Sequence, residues 1–163
     1  MLSHPSPSRD PYPGRPRRIT AVVASWLVLV LVSGCTGPTP TESLYRDAAE
    51  QTVTALLSAV GTGIMLSEIH RRDMAFSPYT ETTVEDAEDA ARSVNDTFGT
   101  RQPPTPRARS LRSELAPLCD SAVNALSDLR IALREDDGAA VRTAERSLRS
   151  VAVDLTELQD ELS

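Results

Sequence analysis

Few side chains in this sequence have the chemistry to act on a ligand. A metal would need soft or imidazole donors on one face, and His70 and Met74 stand one helical turn apart with Met65 nearby, donors that a copper ion accepts. A di-metal carboxylate centre of the kind built inside helical bundles needs Glu-x-x-His pairs in duplicate. Glu68-Ile69-His70 has the wrong spacing and no second copy, and His4, the other histidine, lies in the leader. The plainer account of His70 is an imidazole at a helix end, favoured by the negative pole of the helix, beside methionines that fill a core. No metal or cofactor is therefore expected. A catalytic thiol would need a base to activate it. Cys119 has no histidine partner that the sequence places beside it, and it falls on the line Leu115, Cys119, Ala122, Leu126, so a buried, inert thiol is expected. The acids Glu85, Asp86, Glu88, Asp89 and Asp96 sit at the positive start of a helix and along its outer side. They read as a solvated, dipole-matched face rather than a cation site. Arg101, Arg107, Arg109 and Arg112 gather at the start of another helix, where cations oppose the dipole; they read as solvating a linker, with an anion or partner patch as the alternative. No catalytic constellation results, and an enzyme is not expected.

The other cysteine takes its chemistry from its context. Arg15, Arg17 and Arg18 lead into an apolar run from Ile19 to Val32, which ends on Ser33, Gly34 and Cys35. Basic residues, a short apolar core and a small-residue exit are what a secretory signal requires. A membrane-crossing helix needs about 20 apolar residues, with a lower limit of about 17, so this run favours cleavage over permanent spanning. Val32-Ser33-Gly34-Cys35 resembles the lipobox of bacterial membrane lipoproteins. That resemblance implies diacylglyceration of the Cys35 sulfur and cleavage just before it, with residues 1–34 removed as signal peptide. It covers the leader alone and implies nothing about the domain behind it. Met1 to Gly14 is longer than an export signal needs. Arg17-Arg18 resembles a twin-arginine signal, but Thr20 and Ala21 stand where that signal has bulky apolar residues, which favours the general export route.

Composition bears on source and partners. All 17 basic side chains are arginine and none is lysine, a bias that points to a GC-rich, actinobacterial genome. Removing the leader with Arg9, Asp10, Arg15, Arg17 and Arg18 leaves 13 arginines against 22 acids, a net charge of −9. Such a domain repels nucleic acid and anionic headgroups, so no nucleic-acid partner is expected and attachment must come from acyl chains. One chain gives marginal, reversible binding, and the several chains of a lipoprotein cysteine make the anchor stable. With Cys35 acylated, Cys119 has no partner for an intramolecular disulfide, and the fold must stand on its core.

The elements that must position these residues are helical. Residues 35–41 form the lipidated cysteine and a proline-biased tether, and residues 42–163 suffice for one domain. No strand signal and no repeat occur in it. The first helix, about Glu42 to Asp73, carries Val53, Leu56, Leu57, Val60 and Ile64 on one face and no charge between Glu50 and Glu68. Met65, Leu66 and Ile69 extend its apolar surface round the other side, as expected of a helix buried on most of its circumference. Ala55, Ala59 and Gly63 form a small-residue ridge suited to close approach of a neighbour. Ser77-Pro78-Tyr79 reads as a turn, and Thr82 with Glu85 as a capping box that starts the second helix. Val84, Ala87, Ala91, Val94 and Phe98 are its buried stripe, and Gly99 with Pro103, Pro104 and Pro106 ends it. The third runs from about Arg107 to Arg134 on Leu111, Leu115, Leu118, Ala122, Ala125, Leu129 and Ala132, with a kink or break expected at Pro117. Asp136-Asp137-Gly138 is a tight connection, and Val141, Ala144, Leu148, Val151, Leu155, Leu158 and Leu162 form the fourth. Short connections make neighbours antiparallel, so the expected fold is all-α, an up-and-down antiparallel four-helix bundle. The expected function is that of a lipid-anchored, extracytoplasmic, non-catalytic module that binds an envelope protein. The alternative is a small-ligand or metal-binding lipoprotein using the His70 region.

Overall fold

Four helices follow one another in the computed structural model, which describes residues 41–72 and 77–163, with the backbone alone for 77 and 78. They are α1 (Glu42–Arg71), α2 (Ser77–Gly99), α3 (Pro106–Arg134) and α4 (Gly138–Leu162). Residues 1–34, where a signal peptide is expected, Cys35, residues 36–40 and Met74 lie outside the described residues.

Local chemistry sets most of the helix starts. The first N–H groups of a helix have no intrahelical acceptor, and a short polar side chain just ahead of them supplies one. Thr41 Oγ1 accepts from the Leu44 N–H at 3.3 Å and Thr105 Oγ1 from the Ala108 N–H at 3.1 Å. At α4 the Asp137 carboxylate takes two such bonds, from Ala139 at 2.8 Å and Ala140 at 3.0 Å. These bonds favour its charged form and hold its carboxyl below the usual range. Asp136, just before it, turns the chain with φ 52°, a left-handed conformation that aspartate tolerates.

Two boundaries depart from the sequence reading. The second helix begins at Ser77, not at Thr82, so Ser77-Pro78-Tyr79 is its first turn rather than a free turn. Proline fits there because its missing N–H would have no helical acceptor and its φ is already helical. Thr82 and Glu85 then lie inside the helix, where the N–H groups are spoken for, and no capping box forms. At Pro117 there is no break: α3 continues through it to Arg134. Pro117 and Ser113, whose carbonyl loses its partner, are both exposed, so that carbonyl belongs to the solvent side.

The helices pack in the order α1, α2, α3, α4 around the bundle, each against its neighbours, and α1 also touches α3 across the diagonal. Contacts at the two ends show the alternation of direction. At one end the start of α1 meets the starts and ends of the other helices: Thr105 Oγ1 donates to Glu42 Oε2 at 2.9 Å, and Arg46 Nη2 donates to the Leu162 carbonyl at 2.7 Å. There too the Tyr45 and Phe98 rings pack tilted, centroids 5.4 Å apart. At the other end His70 Nε2 lies 3.8 Å from Asp136 Oδ1 in the α3–α4 connection. The fold is the all-α, up-and-down antiparallel four-helix bundle expected from the sequence.

Contact with all three other helices is what the wide apolar surface of α1 requires. Val53, Leu56, Val60 and Leu66 are buried, together with Leu115, Leu126 and Leu129 of α3 and Leu148 and Leu155 of α4. Among the described residues α1 alone is long and apolar enough to cross a membrane by length and composition, and its burial in the core accounts for that composition. Of the small-residue ridge, Ala59 and Gly63 are buried in the bundle and Ala55 is half-buried. A methyl group added at Gly63 would stand 2.7 Å from Leu126 Cδ2 and 3.0 Å from Leu148 Cδ1, whereas one at Gly61 meets nothing within 4 Å. Both changes gain helix propensity, about 0.8–1.0 kcal/mol, but overpacking a filled core costs about 1–3 kcal/mol. Urea titration should accordingly place Gly61→Ala above wild type and Gly63→Ala at or below it; equal gains would mean that the α1–α3–α4 contact is looser than described.

Candidate functional site

The most strongly held polar group in the bundle is Glu88, which the sequence reading assigned to a solvated face. It is 3% exposed. Heptad logic places it beside Ala87 and Ala91 and one turn after Val84, at the border of the buried stripe, where a neighbouring helix decides its fate. Arg130 of α3 reaches across and donates Nε to Glu88 Oε2 at 2.6 Å, while Arg92, one turn on along α2, bonds Oε1. Burial alone would raise the Glu88 pKa, but the hydrogen bonds and charges of Arg130 and Arg92 outweigh it and hold the carboxyl below its usual range. The pair fixes α2 against α3, helped by Asn95 Nδ2 donating to Asp120 Oδ1 at 3.0 Å. The rest of the acid run behaves as expected: Glu85, Asp86, Asp89 and Asp96 are exposed.

The arginine cluster divides by role. Arg112 donates to the carbonyls of Gly99 (2.9 Å) and Arg101 (3.1 Å), closing the end of α2 as Arg46 closes the end of α4. Guanidinium donors suit these negative helix ends, whose last carbonyls lack partners. Arg101, Arg107 and Arg109 are exposed, and Arg107 approaches Glu42 only to 3.9 Å. Beside them a half-open groove of about 180 Å³ runs between α1, α3 and α4, with Tyr45, Leu111, Leu158 and Leu162 as its apolar lining and Arg46, Arg107, Glu42, Glu114 and Glu161 as its polar one. Tyr45 is 4% exposed and its hydroxyl, buried, has no hydrogen-bond partner among the described residues. Burial raises its pKa, opposed by the nearby charges of Arg112 and Arg101. Tyr45 extends the Ala49, Val53, Leu56 series by one turn, a spacing that marks it as core in the sequence.

The remaining candidates do not converge. Met65 is 53% exposed and lies five residues, or about 140° of helix rotation, from His70, so the two do not share a face; Met74 lies outside the described residues. Among the described residues no group of three or more His, Cys, Asp or Glu side chains could hold a metal ion. Cys119 is fully buried. Burial, then the charge of Asp120, push its thiol up to about 11, which leaves it protonated and unreactive at neutral pH. Large apolar side chains that stay exposed, Leu44, Met65, Tyr79, Ile131 and Val153, are distributed over all four helices. Set against known protein families, curated proteins and solved structures, the chain matches none of them.

Proposed function

We propose that the chain is a lipid-anchored helical module on the extracytoplasmic face of a bacterial, by its arginine bias actinobacterial, membrane, and that it works without catalysis by binding a protein of the cell envelope. The observation that carries this reading is Val32-Ser33-Gly34-Cys35 at the close of a basic-then-apolar leader. The domain is compatible with it. The first residue of α1 follows Cys35 by seven positions, so an acylated cysteine would hold the bundle by the end where α1 starts. Two of its polar groups are held inside the fold: the thiol is buried and protonated, and Glu88 is bound to two arginines. What remains outside is a polar, mostly acidic surface, the kind that recognises a partner by shape and charge.

Metabolic labelling with a palmitate analogue tests the anchor. The wild-type protein should take up label and sediment with membranes. Cys35→Ala should lose the label entirely and accumulate as uncleaved precursor or leave the membrane. Equal labelling of the two would refute acylation at Cys35, whatever the fate of the domain.

A further inference from the structure

The end of the bundle where α1 starts is electrically lopsided. From Gly99 to Arg112, across the α2–α3 connection and into α3, the chain has four arginines and no acid. Across the groove from Arg107, the last turns of α4 carry Glu157, Asp160 and Glu161, the last of which lines that groove. Of the four arginines Arg112 is committed to backbone carbonyls, and Arg101, Arg107 and Arg109 project from exposed positions. Helix stability does not account for Arg107 and Arg109, because cations in the first turn of α3 oppose its dipole. The contacts of Thr105 and Arg107 with Glu42 put this edge directly beside the start of α1. Six residues, 36–41, separate Glu42 from Cys35, and the seven steps between the two at about 3.3–3.6 Å each reach roughly 25 Å at most.

We propose that this arginine edge rests on anionic phospholipid headgroups, and that it tilts the bundle so that the α2–α3 connection lies on the membrane and the end of α4 points away. The inference rests on the lipid-anchored reading, which supplies the proximity. Attraction to an anionic surface decays over about 8 Å at physiological salt, so three exposed arginines on a free domain of net charge −9 would count for little, whereas a short tether keeps them in range. The same field repels the acids of α4, and the two effects turn the domain in the same direction. The groove beside Tyr45 does not compete for this role, since Arg46 is bound to a carbonyl and Glu114 and Glu161 line it.

Single labels on the mature lipoprotein test the tilt, because Cys35 is consumed by acylation and Cys119 is buried. Thr100→Cys and Ser163→Cys, carrying a fluorophore, are reconstituted in phosphatidylcholine vesicles with and without phosphatidylglycerol and quenched by a headgroup-attached nitroxide. The Thr100 label should be quenched more strongly than the Ser163 label when phosphatidylglycerol is present. The difference should disappear in pure phosphatidylcholine, in high salt, and in the Arg101→Gln, Arg109→Gln double variant. Equal quenching at the two positions in anionic vesicles overturns the proposal, as does a difference that survives loss of both arginines, or one that appears only when other envelope proteins are added. Intact mass of the same preparation separates the two levels: acyl mass with equal quenching removes the tilt alone, and absence of acyl mass removes the anchor and the tilt with it.

Discussion

Leu66→Asp should unfold the domain or lower its stability by more than about 4 kcal/mol, because it removes a side chain that is 1% exposed and leaves an unpaired carboxyl in its place. Truncating a buried leucine costs about 2–5 kcal/mol before any charge is added, and the aspartate must either stay ionised without a partner or take up a proton. Its neighbour is the control. Met65 is 53% exposed, so Met65→Asp should stay within about 0.5 kcal/mol of wild type. Thermal denaturation should then separate two variants one residue apart by more than about 12 °C. If Leu66→Asp melts with wild type instead, the second apolar side of α1 is an exposed recognition surface, and the packing described for this helix is wrong.

Arg130→Ala should cost about 1–3 kcal/mol, since it takes one of two cationic partners from a buried carboxylate. Glu88, 3% exposed, would be left with Arg92 alone, whose side chain is 49% exposed. Replacing the acid by an apolar side chain is a different experiment: Glu88→Leu should be neutral or stabilising, because it removes the desolvation cost along with the pair and Arg130 can still reach water. The pH dependence has a definite sign. The folded Glu88 carboxyl titrates below its ordinary value of 4.5, so its contribution is complete above that value and is lost as acid takes the pH down through the folded pKa. Wild-type stability should therefore fall more steeply on acidification than that of Glu88→Leu. Parallel pH profiles for the two proteins, or an Arg130→Ala midpoint equal to that of Arg134→Ala on the surface, would show that the pair does not hold α2 to α3.

The bundle was readable in the sequence wherever a residue's fate depends on its own helix. The Leu148, Val151, Leu155 ladder, the line through Cys119 and Val53, Leu56, Val60 and Leu66 of α1 all obey the helical period and are buried, whereas Met65, expected on the covered side of α1, stays 53% exposed. Three features escaped because their cause lies on another helix or in the solvent. Glu88 stands among acids at a position that periodicity leaves on the border, and only Arg130, 42 residues further on, draws it inside. Pro117 frees the Ser113 carbonyl, and because both residues are exposed water can take that carbonyl up while α3 continues. Ser77-Pro78 has the composition of a turn and also of a helical first turn, and a one-dimensional pattern does not distinguish them. For the arginines the type was visible and the role was not: Arg46 and Arg112 close helix ends that topology brings to them, whereas Arg101 and Arg109 are left over.

The anchor is the claim on which the rest of the function depends, and the intact mass of the protein extracted from membranes of its host measures it most directly. The account predicts a chain that starts at Cys35, lacks residues 1–34 and carries added acyl mass on that residue. A chain that retains the leader, or one that starts elsewhere and carries no acyl mass, would contradict it.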